Sequence, residues 1–202
     1  MYYQEDFTND ESYTSYLQYV AQANTQANIV INSMDLEPVC QVFGVSWVLT
    51  AQGGGFDQRI ETVPIGGSLA TAIQNQATLD ASESRIITAA TFDDAGKQAV
   101  LLSYGWAGDA TTLYESQTCV VLSSQIGATA AALANEGYFV SAFGGNDNDG
   151  YILVGMRVKG DSLPRRIWGM GVGAAPGTIT GPYPTLVLWA YGTSQTWEIW
   201  EQ

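Results

Sequence analysis

The chain has no histidine, and only 13% of its 202 residues are charged. The first absence removes imidazole as general base, proton shuttle and metal ligand, so Ser-His and Cys-His nucleophile pairs are excluded. The second leaves a surface built largely from Gly, Ser, Thr, Asn and Gln, because globular chains ordinarily carry about a quarter charged residues. Cysteine is scarce too: Cys40 and Cys119 are the two present, and neither sits in a CxxC pair. Buried reduced thiols and a single disulfide both fit them, and buried thiols are the simpler reading. No apolar run reaches the roughly 18 residues of a membrane-spanning helix. Disorder is excluded by an abundance, since 46% hydrophobic residues bury enough surface to offset chain entropy.

Positive charge is the rarer sign. Seven Lys and Arg stand against 20 Asp and Glu, a net charge of -13, and no cation precedes Arg59. That field repels a phosphate backbone and an anionic leaflet, so nucleic acid and membrane surface are not expected partners. The opening Met1-Tyr2-Tyr3-Gln4-Glu5-Asp6 is acidic where a secretory leader requires a basic start. The low-charge polar composition still favours an extracellular over a cytoplasmic setting.

What is present is a recurring order of elements. Thr118–Leu122 reads as a strand, Gln125–Asn135 as a helix, and Tyr138–Phe143 and Tyr151–Val158 as a hairpin pair. Ile126, Ala130 and Leu133 share one helix face, and Gly137 stands where a helix-ending glycine belongs. Upstream, strand Arg59–Ile65, helix Leu69–Leu79 and strands Arg85–Phe92 and Gln98–Trp106 follow the same order. An N-terminal copy places a helix at Tyr13–Ala27 and strands at Asn28–Met34 and Cys40–Thr50. The C-terminal quarter offers strands Arg166–Met170, Thr185–Tyr191 and Thr196–Trp200, with a Gly- and Pro-rich stretch too poor in helix formers to bridge them. The expected fold is α+β in one compact domain over 1–202. It comprises βαββ-like units near 12–50, 58–106 and 112–158, a mostly antiparallel sheet, and a helix-free strand segment over 165–202. In each closing strand large residues alternate with smaller ones, as Val100, Leu102, Tyr104 and Trp106 do with Ala99, Leu101, Ser103 and Gly105. The large face is expected beneath the helix of its unit.

Chemical motifs are few. Asn146-Asp147-Asn148-Asp149-Gly150 places oxygen donors as a calcium loop does, but the closing Glu is missing and a hairpin turn wants the same residues. Gly53-Gly54-Gly55, Gly66-Gly67 and Gly169-Met170-Gly171 lack the phosphate-loop pattern. GxSxG and SxxK are absent, so no catalytic residue, metal site or cofactor is assigned, and an enzyme is not expected. Aromatics stand out instead, with six Trp and eleven Tyr. Trp189, Tyr191, Trp197 and Trp200 crowd the helix-free segment, where they serve as core, as subunit interface, or as a platform for a sugar ring. As a platform they are the candidate ligand-binding residues. The leading expectation is a non-catalytic recognition protein for a cell-surface glycan or protein ligand, with homo-oligomerisation compatible. A self-assembling virion-type component and a secreted toxin acting on host cells are the alternatives.

Overall fold

The computed structural model describes residues 2–5, 29–35, 40–46, 56–64, 67–92, 98–172, 185–191 and 196–201. Four three-stranded sheets occupy them. The first holds β1 (Tyr2–Glu5), β2 (Ile29–Asp35) and β3 (Cys40–Ser46), and the second β4 (Phe56–Pro64), β5 (Arg85–Phe92) and β6 (Gln98–Trp106). The third holds β7 (Tyr114–Val121), β8 (Phe139–Asn146) and β9 (Gly150–Val158), and the fourth β10 (Ile167–Val172), β11 (Thr185–Tyr191) and β12 (Thr196–Glu201). In every sheet the last strand in sequence lies in the middle: β1-β3-β2, β4-β6-β5, β7-β9-β8 and β10-β12-β11. All eight strand pairings are antiparallel. Helix α1 (Leu69–Ser82) connects β4 to β5, and α2 (Ile126–Asn135) connects β7 to β8. The architecture is α+β. The helix expected at 13–27, the Asp93–Gly96 turn and the helix-free stretch between β10 and β11 lie outside the described residues.

One strand of each sheet faces the middle of the assembly. β2 neighbours β5, β5 neighbours β8, β8 neighbours β11, and β11 neighbours β2. Each of these inner strands carries a register shift at the same point of its ladder, at Asn32, Thr88, Ser141 and Val187. A bulge bends a strand and raises its twist, which lets four short strands turn around a common centre. Packing there is tight: a methyl group at Gly144 of β8 would overlap the Ala90 carbonyl of β5.

The helices are set by local chemistry. Ser68 caps α1, its hydroxyl accepting the Thr71 N–H at 3.5 Å. The two helices end alike, with Ser84 (φ 61°) and Gly137 (φ 87°) both in the left-handed region. The buried residues also correspond. Ile73, Ala77, Asp80 and Ala81 of α1 recur at equal spacing as Ile126, Ala130, Leu133 and Ala134 of α2.

Three expectations need correction. Tyr2–Glu5 is a strand on β3, so the first sheet begins before residue 12. Strand β7 starts at Tyr114, not Thr118, because polar Glu115, Ser116 and Gln117 pair with β9 along a sheet edge. Third, the helix of a unit does not cover the large-residue face of its closing strand. Helix α2 packs on Tyr151 and Leu153, the opposite face, while Ile152, Val154 and Met156 join the core around α1. Likewise α1 meets Ala99 and Leu101 rather than Val100 and Leu102. Helix α1 is therefore sandwiched between its own sheet and the next one. The Gln74 side chain fixes that seat by acting as a surrogate strand residue on the β7 edge. Its amide donates to the Ser116 carbonyl at 3.0 Å and its oxygen accepts the Thr118 N–H at 2.6 Å.

Candidate functional site

Where α1 leans on the third sheet it leaves a cleft of about 560 Å³. Thr78, Ala81 and Ser82 of α1 form one wall and Tyr114, Glu115 and Ser116 of β7 the other. Tyr138 and Arg157 form the floor, and Leu113 and Lys159 the rim. The floor is rigidly built. The Arg157 guanidinium stacks on the Tyr138 ring at 4.3 Å from its centroid. Its Nε donates to Oε2 of Glu115 at 2.8 Å, its Nη2 forms an ion pair with the same oxygen at 2.7 Å, and its Nη1 donates to the Glu136 carbonyl. Glu115 keeps Oε1 outside that pair. Burial raises the phenols of Tyr114 and Tyr138 above their usual range, so both stay O–H donors at physiological pH. The cleft thus offers fixed donors, a carboxylate oxygen outside the ion pair, hydroxyls and a half-buried Tyr114 ring, with Arg157 and Glu115 already paired.

Behind the same helix lies a second polar cluster. Asp80 and Arg85 are 1% and 3% exposed, and Ser103 is fully buried. Arg85 donates from Nε to Ser103 Oγ at 3.0 Å and from Nη1 to Asp57 at 2.9 Å, with its Nε 3.7 Å from Asp80. Ser103 donates to Asp80 at 3.1 Å, and the Gln76 amide donates to the other Asp80 oxygen at 3.4 Å. Glu61 of β4 lies beside Asp80, and burial first, then that neighbouring carboxyl group, push its pKa up to about 8. A carboxyl group of raised pKa beside a second carboxyl group is what general acid catalysis needs. Here Asp80 is sealed beneath α1 at 1% exposure, and the cluster ties the helix to β4, β5 and β6.

The third sheet meets the corresponding place with apolar groups. Leu133 stands where Asp80 does, and a methyl group at Gly155 would sit 3.1 Å from a Leu133 methyl. Ser103 occupies the Gly155 position, because each is the last pairing before its inner strand's bulge. One architecture thus accepts a leucine against a glycine, or an aspartate against a serine.

The sequence-proposed residues lie on strands of the fourth sheet. Trp189 and Tyr191 lie on β11 and Trp197 and Trp200 on β12, with their side chains outside the described residues. Register pairs Trp189 with Glu198 and places it where Met34, Ala90 and Phe143 stand in the other sheets, all three buried. Trp200 pairs with Gly169 and Leu186, and Trp197 with Val172 and Ala190. Sequence reasoning missed the cleft because its walls come from two units. The acidic turn is self-satisfied: the Asn146 side chain accepts the N–H groups of Asn148 and Asp149, both at 2.8 Å, and donates to Asp149. The Tyr151 hydroxyl donates to Asp147. Cys119 is a free thiol that burial holds above its usual pKa.

No protein-family model, curated protein or solved structure matches the chain. Among the described residues no helix is long and apolar enough to cross a membrane.

Proposed function

We propose that the chain is a non-catalytic recognition protein that holds a neutral, hydroxyl-rich ligand, a glycan, in the cleft between α1 and the third sheet. The observation that carries this reading is the prearranged floor. Arg157 already has its carboxylate partner, so an anion gains little there and must compete with Glu115. A sugar hydroxyl both donates and accepts, and finds acceptors in Glu115 and donors in Ser116 and Lys159 around the Tyr114 ring. The net charge of -13 further disfavours polyanions. A cell-surface glycan outside the cytoplasm is the ligand setting that the low-charge composition favours. The aromatic set Trp189, Tyr191, Trp197 and Trp200 is a second contact surface in this reading.

The test is a glycan array followed by calorimetry on wild type, Tyr114→Ala and Trp200→Ala. Binding that weakens about tenfold in Tyr114→Ala, the size of one lost aromatic contact, supports the cleft. Loss confined to Trp200→Ala moves the contact to the fourth sheet, and no binding to any glycan refutes the reading.

A further inference from the structure

The cluster behind α1 contains more acid than its one buried cation balances. Asp57, Asp80 and Glu61 converge on the Arg85 guanidinium from β4 and α1. Arg59, the cation of β4, is half-exposed and engaged by Glu83 at 2.8 Å and Asp57 at 3.6 Å. The donors of Arg85 go to Asp57, to the Ser103 hydroxyl and carbonyl, and to the Asp57 carbonyl, with Asp80 beside Nε. No N–H of Arg85 donates to Glu61. The Oε2 atom of Glu61 is buried without a hydrogen-bond partner among the described residues. Asp80 for its part accepts from Ser103 and Gln76 and lies 1% exposed. A buried carboxyl oxygen that no N–H or O–H reaches, set beside a second buried carboxyl group, favours keeping its proton, because two carboxylates have no donor to share.

We propose that Glu61 is carried as a neutral acid whose O–H donates to Asp80, and that its deprotonation is a pH switch on the seat of α1, and through α1 on the cleft. The coupling path is short. Asp80 precedes Ala81 and Ser82, which wall the cleft, and β4, β5 and β6 meet α1 through this cluster. Ionising Glu61 sets a second buried negative charge against Asp80, with Arg85 already shared and Arg59 held at the surface. Relief comes by moving Asp80, hence the last turn of α1, away from β4. The folded pKa lies above the unfolded value of 4.5, so the proton's stabilisation is complete below about 4.5 and is lost as pH rises towards about 8. The inference does not depend on what the cleft binds.

The experiment is a pH series of thermal unfolding on the wild type and Glu61→Gln, with carbon-13 carboxyl NMR of the wild type. Glutamine keeps a donor towards Asp80 and cannot ionise. The expected result is a Tm that falls between about pH 4.5 and 8 in the wild type more steeply than in Glu61→Gln. One glutamate carboxyl should titrate near the top of that window, and ring signals of Tyr114 should shift with it. Equal slopes in the two proteins overturn the proposal, as does a set of glutamates that all titrate near 4.5. If Glu61→Gln does not fold, the wild-type carboxyl titration and the Tyr114 signals decide alone.

Discussion

Replacing Arg85 by Met isolates the energetics of the polar cluster. The variant removes a guanidinium that is 3% exposed and leaves Asp80, 1% exposed, with only the Ser103 hydroxyl, the Gln76 amide and the Glu61 acid around it. Breaking a buried ion pair from one side costs about 3–5 kcal/mol, because the orphaned charge keeps its desolvation penalty. That is a large part of the roughly 5–15 kcal/mol that stabilises a typical domain. The third sheet supplies the rescue. Adding Asp80→Leu and Ser103→Gly to Arg85→Met copies the Leu133 and Gly155 arrangement, in which leucine fits only because no side chain opposes it. Swapping a buried pair for apolar groups of similar volume is often neutral or stabilising. A glycine within a strand takes back about 0.5–1 kcal/mol. The triple variant should therefore regain at least about 2 kcal/mol over the single one, by urea unfolding followed through tryptophan fluorescence with unchanged m-values. A triple variant no more stable than Arg85→Met would refute the correspondence between the two sheets.

Two further outcomes follow from packing and burial. Gly144→Ala forces a methyl into the Ala90 carbonyl across the inner strands, so its Tm should drop by more than that of an exposed Ser162→Ala control, with a cost at or above the usual 1–3 kcal/mol of overpacking. The Cys119 thiol, raised in pKa by its burial, should react with a disulfide reagent at neutral pH more slowly than a model thiol and speed up on urea unfolding; a rate equal to the model thiol's would contradict that burial.

Much of this architecture was readable from residue patterns. Strands Arg85–Phe92, Gln98–Trp106 and Thr185–Tyr191 match the strands read from the sequence end for end, since apolar, aromatic and β-branched residues dominate each run between turn-forming stretches. The Ile126, Ala130 and Leu133 stripe marks the buried face of α2. Strand β1 escaped because four residues are too few for a periodic signal, and its partner β3 lies far along the chain. Period two defines two faces but not which one a helix covers, and β9 is buried on both. The site was less legible still. A stripe reading of α1 passes over Asp80, because the groups that make its burial tolerable, Arg85 and Ser103, sit on other strands. The equal spacing of Asp80 and Leu133 within their helices was the available signal. The cleft needs Ser82, Tyr114 and Arg157 together, which only the docking of α1 on β7 provides.

The most direct test of the recognition reading is an NMR titration of the isotope-labelled chain with the best oligosaccharide from the array. The account predicts saturable shifts centred on Tyr114, Ser116 and Arg157, extending to Ser82 across the cleft and reduced in Tyr114→Ala. Shifts that leave these residues unmoved while the oligosaccharide binds would contradict it.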